Sequence, residues 1–335
     1  MKHKPIINIA TITVVAIVLC MLVLLVAYFG QLYSKAITTS TVAPKTPTSE
    51  PVVNEKPSPT TTKLADPKAA PSTKNTIDVE SDSNVGKHNL SILAWNVESG
   101  DNNPITIARQ LKEMSGYDVY CLSEVRSRGA NYYAKAFPGY KSFLSKTGGG
   151  DHLMVLANTD RLESIEEREI HELNNRGRTH RSPLAVAFND RETQQQFKVI
   201  VNHLARGNGG LRQRQAAGLV RLAEKAELPT ITVGDFNFDY GFKKQDGNRA
   251  FQIMTRGDAW EWVVPNPLVD TQWSDDNGKG RYPNSMLDFA FVSGPAKTWN
   301  PQCRVIVRDG DFPDSAKTSD HRPIELRLTL PKANQ

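Results

Sequence analysis

Cysteine is scarce in this chain, three in 335 residues, which excludes a small scaffold stapled by disulfides. No Cys/His cluster stands at the spacing of a structural zinc site. Net charge is small too: 41 Lys plus Arg against 36 Asp plus Glu leave +5. Residues 1–87 hold nine Lys against six acidic residues, a net of +3, and the remainder holds 32 against 30, a net of +2. More than half of the basic excess therefore lies outside the C-terminal part, and a pI near 9.0 is poor evidence for a nucleic-acid surface there. Aromatic residues are missing altogether from Ser34 to Asn89, so the composition has to be read segment by segment.

From Ile6 to Phe29 the chain is almost continuously apolar and uncharged. At about 1.5 Å rise per residue such a stretch crosses a hydrocarbon core of roughly 30 Å. It is longer than the apolar region of a cleaved secretory signal, about 7 to 15 residues. Residues 6–29 are expected to be a transmembrane anchor, and Lys2 and Lys4 ahead of it favour a cytoplasmic N-terminus over residues 1–5. The expected location is a single-pass membrane protein whose later residues are extracytoplasmic, in a periplasm or outside the cell. Residues 30–87 read as a linker: seven prolines fall between Ser34 and Asn89 amid Ser, Thr and Lys, and too little apolar surface is present to offset the entropy of ordering.

From about residue 88 to 331 the pattern changes to short apolar runs separated by turn residues. Strands are expected at Leu90–Trp95, Tyr117–Ser123, Leu153–Ala157, Leu184–Phe188, Phe197–Val201, Pro229–Val233, Leu287–Val292, Arg304–Val307 and Ile324–Leu330. Asn103-Pro104 offers an N-cap and an N1 proline for a helix carrying Ile107, Leu111 and Met114, closed by Gly116. Leu211, Leu219, Leu222 and Ala226 form the stripe of a longer helix. Helices are few and do not alternate with strands, so an α/β fold of two packed, mainly antiparallel sheets flanked by helices fits better than a doubly wound parallel sheet. Cys121 lies within a strand and reads as a small core residue, and nothing in the spacing demands a bond to Cys303.

Polar residues cluster at the strand ends: Asn96, Glu124, His203, the Gly234-Asp235-Phe236-Asn237 turn, and Asp320-His321. One such residue is ordinarily a turn or surface group; six at strand ends describe a site presented by a rigid scaffold. Carboxylates and an amide oxygen suit Mg²⁺, Mn²⁺ or Ca²⁺, and histidines with carboxylate partners suit acid–base work or stabilisation of a phosphoryl group.

In order, Leu93-Ala94-Trp95-Asn96-Val97, Leu122-Ser123-Glu124-Val125, Val201-Asn202-His203-Leu204, Val233-Gly234-Asp235-Phe236-Asn237, Met286-Leu287-Asp288-Phe289-Ala290-Phe291 and Thr318-Ser319-Asp320-His321-Arg322-Pro323 resemble the motif series of the endonuclease/exonuclease/phosphatase superfamily. The resemblance implies a four-layer α/β sandwich and phosphoester hydrolysis with a divalent cation, Mg²⁺ first, Mn²⁺ or Ca²⁺ otherwise. It makes Glu124 the principal metal ligand, with Asn96 and Asp320 completing or flanking the site. Asp235 orients or deprotonates the attacking water, Asn237 holds a phosphate oxygen, and His321 is oriented by Asp288. His203 faces the phosphate from the other side. Asp151 is either the partner of His203 or a turn residue after Gly148–Gly150.

The Asn202-His203 pair is similar to the deoxyribonuclease, sphingomyelinase and inositol-phosphatase branches, whereas abasic-site endonucleases usually carry tyrosine there. Arg181-Ser182-Pro183-Leu184 resembles a phosphate-reaching segment of pancreatic-type deoxyribonucleases. No long hydrophobic hairpin of the secreted sphingomyelinases and no lysine-rich inositol-ring motif is present. Arginines instead follow the candidate residues: Arg126 and Arg128, Arg176, Arg178 and Arg181, then Arg206, Arg212 and Arg214, with Arg181 and Arg206 the expected phosphate contacts. The expected activity is an extracytoplasmic nuclease acting on DNA or RNA, with a phospholipid or small-phosphoester phosphodiesterase or phosphatase as the alternative and a non-catalytic binding module last. No obligate protein partner is implied.

Overall fold

The computed structural model describes residues 89–98, 102–174, 181–273, 284–308 and 318–332. The expected anchor at 6–29, the linker at 30–87 and two of the expected arginines, Arg176 and Arg178, lie outside the described residues. Among the described residues no helix is long and apolar enough to cross a membrane.

Among the described residues twelve strands form two six-stranded sheets. The first contains β1 (Leu90–Asn96), β2 (Val119–Val125), β3 (Tyr140–Leu144), β4 (His152–Asn158), β11 (Gln302–Val305) and β12 (Ile324–Leu328), in the order β11-β12-β1-β2-β4-β3. The second contains β5 (Leu162–Glu169), β6 (Leu184–Asp190), β7 (Gln196–His203), β8 (Thr230–Tyr240), β9 (Glu261–Trp262) and β10 (Met286–Ser293), in the order β5-β6-β7-β8-β10-β9. Each sheet has one parallel pair at its centre, β1 with β2 and β7 with β8, and antiparallel neighbours outside. A parallel pair needs a crossover. Helix α1 (Pro104–Glu113) lies in the first crossover and α3 (Gly209–Glu224) in the second, while α2 (Ser127–Ala136) follows β2 and α4 (Arg249–Thr255) follows β8.

Alternation along the strands divides the apolar residues among three cores. Ile92, Cys121, Val155, Val199, Val233, Ala290 and Leu326 fill the seam between the sheets. Leu93, Tyr120 and Met154 point the other way, onto Ile107, Leu111 and Tyr133 of the first helix pair. Ile200, Phe236 and Phe289 meet Ala216, Leu219 and Phe251 of the second pair. The result is helix, sheet, sheet, helix. The β12 alternation read from the sequence sends Ile324, Leu326 and Leu328 into the seam, and Asn103 caps α1 by accepting from the Ile105 N–H at 3.0 Å. Cys121 and Cys303 are both buried free thiols.

Three expectations are corrected. The segment Gly234–Asn237 is not a turn after a strand; β8 runs through it to Tyr240, paired with β10 as Phe289↔Gly234 and Asp288↔Asp235. Phe236, Phe238 and Tyr240 supply the reason, since all three are buried in the aromatic layer under α4. At roughly 1.5–3 kcal/mol per large buried side chain, that burial offsets the cost of about 1–3 kcal/mol for each residue held at positive φ, namely Asn237 and Asp239. The α3 stripe ends early: Glu224 is the last helical residue and Ala226 is exposed, because the chain must enter β8 past Pro229, which disfavours helix just before it. Strand β11 sits two residues earlier than expected. Elements α2, β3, β5, α4 and β9 were not expected. Of these β5, Leu-Glu-Ser-Ile-Glu-Glu-Arg-Glu, is an edge strand whose charge discourages further pairing.

Candidate active site

The inter-sheet seam is apolar along its length and closes at one end in a polar cluster. Asn96, His203, Asp235 and Asp288 occupy seam-facing positions of β1, β7, β8 and β10, continuing the alternation of the apolar residues before or after them. Parallel pairing sets Asn96 level with Ser123 and His203 level with Asp235, so β1 and β7 end beside β2 and the middle of β8 and bring these residues to one place. Regular alternation would put Glu124 on the helix side with Tyr120 and Leu122. A register shift between Leu122 and Val125, with Glu124 itself at φ +57°, turns it back to the seam.

The Asn96 amide nitrogen donates to Glu124 Oε1 at 3.1 Å and to Asp235 Oδ2 at 3.0 Å. Its Oδ1 accepts the Glu98 N–H at 3.0 Å, which fixes the orientation of the amide. Asn96 thus joins two carboxylates through its nitrogen. His203 Nε2 lies 3.7 Å from Glu124 Oε1 and 3.5 Å from Asp235 Oδ2. On its other side His203 Nδ1 faces Asp151 Oδ1 at 3.8 Å; both atoms are buried and neither has a hydrogen-bond partner among the described residues. Asp151 is ion-paired with Arg181 through its other oxygen. His321 Nδ1 is 2.8 Å from Asp288 Oδ2, and its Nε2 is 3.9 Å from Asp235 Oδ2.

Electrostatics separates these groups. Burial would raise the Glu124 carboxyl, but His203, the Asn96 amide, His321 and Arg181 together hold it at about 2. Burial raises Asp235, helped by Asp288 and Glu124 and opposed by the two histidines. For His321 burial acts to lower the pKa, and Asp288, Asp320 and Asp235 outweigh it, raising the imidazole well above its ordinary value.

The remaining expected residues stand around this centre. Asn237 donates its backbone N–H to Asp235 Oδ1 at 2.9 Å and its amide to the Leu204 carbonyl at 3.1 Å. The Asp320 N–H is held by Glu98 Oε2 at 2.9 Å, its Oδ2 accepts from the Gln272 amide at 3.2 Å, and its Oδ1 lies 3.8 Å from His321 Nε2. Arg206 is exposed at the mouth of an adjoining cleft and is not brought into the cluster. Several supporting residues escaped the sequence reading. The Thr271 hydroxyl accepts the Leu287 and Asp288 N–H groups, and the Trp95 indole donates to the His321 carbonyl at 2.8 Å. Ser319 accepts the His321 N–H at 3.0 Å; it stood in a quoted motif, whereas Thr271 and Gln272 carry no local signal.

Glu124, His203 and Asp235 each offer a ligand atom, all within 4.8 Å of one another, and form a candidate metal site. The donor set fits a small divalent cation: ligands at about 2.1 Å in octahedral geometry stand roughly 3 Å apart, close to the separations observed. Two stacked mixed sheets with this cluster at the end of their seam define the class, a phosphoesterase with a candidate metal site. The chain belongs to the endonuclease/exonuclease/phosphatase family, which it matches over residues 93–321. No curated protein matches the sequence significantly. Among solved structures, a D. rerio TDP2 humanised by 14 mutations aligns at 19% identity and TM-score 0.58 over 72% of this chain and 99% of that one. D. rerio TDP2 in complex with a single-strand DNA product aligns at 18% identity and TM-score 0.57, over 72% and 99%. A mannosyl-6-phosphatase of Bacteroides thetaiotaomicron aligns at 17% and TM-score 0.55, over 72% and 100%. At such identities the likeness is one of fold.

Proposed function

We propose that this chain is a divalent-metal-dependent nuclease, hydrolysing phosphodiester bonds of nucleic acid outside the cytoplasm while residues 6–29 hold it in a membrane. The observation that carries the hydrolytic reading is the convergence of Glu124, His203, Asp235 and the Asp288–His321 pair at one end of the seam. Arg206 and Arg212, lining the cleft beside that end, favour a polyanionic substrate.

Glu124 would hold the cation, and Mg²⁺ or Mn²⁺ there would neutralise charge on the phosphate. Asn96 keeps the Glu124 and Asp235 carboxylates together through its two N–H bonds. Asp235, its pKa raised by burial, takes the proton of the water that attacks phosphorus in line. The P–O ester bond opposite breaks, and its oxygen is protonated from His203, whose Nδ1 faces Asp151 Oδ1 at 3.8 Å. His321, kept protonated chiefly by Asp288, donates to a phosphoryl oxygen, and Asn237 binds another.

The test is to assay the full detergent-solubilised chain on plasmid DNA, RNA, sphingomyelin and phosphoinositides, with Mg²⁺, with Ca²⁺ and with chelator. Cleavage of nucleic acid that chelator abolishes is expected, and Glu124→Ala or His321→Ala should each remove it. Turnover of lipid without nucleic-acid cleavage would sink the nuclease reading; activity retained in both variants would overturn the site.

A further inference from the structure

Beside the catalytic cluster lies a cleft of about 450 Å³, within the roughly 300–1,000 Å³ usual for ligand sites. Arg206, Arg212, Asn237, Asp239, Tyr240 and Gln272 are among the residues that line it. It opens directly from the cluster, because Asn237 holds Asp235 and Gln272 holds Asp320. Arg212 is fixed in place by donating to the carbonyls of Ala205 and Arg206 at 2.6 and 2.7 Å.

Past Tyr240 the chain makes a turn that exposes Phe242, Lys243 and Lys244 in succession. Phe242 is 38% exposed, and its ring stands edge-on to Tyr240 with centroids 6.1 Å apart. The turn is tied down at both ends. The Gly241 N–H donates to the Asp246 carbonyl at 2.9 Å and the Lys244 N–H to the Gly241 carbonyl at 3.1 Å. Asp246 Oδ2 accepts from the Gln252 amide at 2.8 Å, and the Asn248 N–H returns to the Phe238 carbonyl at 2.7 Å. Single exposed apolar residues are common and usually mean nothing. Phe242 differs in being presented by a closed turn, followed by two exposed lysines and directly after Tyr240 and Gly241, which line the cleft with Arg206 and Arg212.

We propose that Phe242 is a stacking platform for an unpaired base, and that the substrate is single-stranded nucleic acid whose backbone runs over Lys243 and Lys244 into the cleft lined by Arg206 and Arg212. This rests on the phosphodiesterase reading and narrows its substrate. An exposed ring takes a base by its face, and inside a duplex those faces are already covered by the neighbouring pairs, whereas a single strand can offer them along its length; basic side chains track the phosphates on either side.

The experiment measures kcat and KM of the full solubilised chain with Mn²⁺ on a single-stranded oligonucleotide, on the duplex of the same sequence and on bis(4-nitrophenyl) phosphate. Wild type should prefer the single strand. Phe242→Ala should raise KM for it roughly tenfold, Phe242→Trp should restore it, and neither should alter hydrolysis of bis(4-nitrophenyl) phosphate. Lys243→Ala with Lys244→Ala should flatten the salt dependence of that KM. Preference for the duplex, or a Phe242→Ala enzyme indistinguishable from wild type on the single strand, overturns the proposal. So does a variant whose only defect is weaker binding to phosphatidylserine vesicles, which would make the turn a membrane contact. If no phosphodiester is hydrolysed, the parent reading has failed by itself. Fluorescence anisotropy with the same oligonucleotide then decides: binding that depends on Phe242 supports the platform, and absence of binding overturns it.

Discussion

Asp288 and His321 form the closest carboxylate–imidazole pair of the cluster, and the proton between them should govern the pH response. The His321 pKa is raised well above 6.5 against the opposing effect of burial, first by Asp288. A raised imidazole stabilises the fold fully below its ordinary value, and that contribution is lost as pH rises through the native value. Activity follows the same group, because the protonated ring is the proposed donor to phosphate. Asp288→Asn removes the largest raising influence, so the alkaline limb of the kcat/KM profile should move to lower pH, with activity at neutral pH falling about 10²–10⁴-fold. An unmoved alkaline limb would assign that limb to another group. The acid limb should belong to Asp235, whose pKa is raised, and not to Glu124, which stays ionised down to about pH 2.

Among the elements, β7 and β8 meet so closely at the site that one position tolerates no side chain. Gly234 has φ +123°, and a Cβ there would stand 2.3 Å from the Asn202 carbonyl oxygen. Gly234→Ala must separate the two strands that carry His203 and Asp235, and should cost on the order of 3 kcal/mol or more; chemical denaturation with an unchanged midpoint would refute this. Far from the site, β12 is tied to β11 and to Tyr117 through Glu325. This buried carboxylate accepts from Arg304 at 3.0 Å and from Arg327 at 2.8 Å, and bonds the Tyr117 hydroxyl. Burial would raise the pKa of Glu325, and these partners lower it instead. A depressed carboxyl gives stability above its ordinary value of 4.5, lost as pH falls through the native one. Glu325→Gln should therefore lower Tm by about 2–8 °C at pH 7, and its deficit should shrink as pH is lowered below 4.5; a deficit constant with pH would mean that packing, not charge, is what the substitution removes.

For the whole molecule, the proposed arrangement is a hydrolase on a tether. Residues 6–29 supply the apolar length to span a bilayer and residues 30–87 a Pro-rich linker, with a reach beyond the roughly 40 Å of a flexible Gly-rich chain of that length. The full chain should sediment with membranes and resist alkaline carbonate, and removal of residues 1–29 should release it in soluble form. A C-terminal reporter should be active outside the cytoplasm; one active only inside would overturn the orientation. Since the part after residue 87 carries only +2, substrate attraction should come from the local arginines and lysines at the site, so their substitution should change salt dependence more than substitutions elsewhere do.

Much of this was legible in the residues themselves. Short apolar runs bounded by turn residues marked β1, β4, β6, β7 and β10, which are buried on both faces, period-two alternation marked β12, and the Asn103-Pro104 cap marked α1 because its chemistry is local. The motif series named every member of the cluster, since those residue types serve one chemistry. Other features needed the folded chain. The edge strand β5 looks polar because only pairing with β6 makes it a strand, and β8 seemed to stop at Val233 because Gly-Asp and Asn are turn formers wherever no partner strand and aromatic layer hold them extended. From the sequence by itself came the strand-end placement of the polar residues and, through the resemblance of its motifs, the groups expected at the site, while the apolar pattern marked which segments would be buried. Tertiary structure alone decided that Asn96 turns its nitrogen to the carboxylates, that a bulge returns Glu124 to the seam, and that Arg181 is spent on Asp151, because these depend on register and on contacts between residues far apart in the chain.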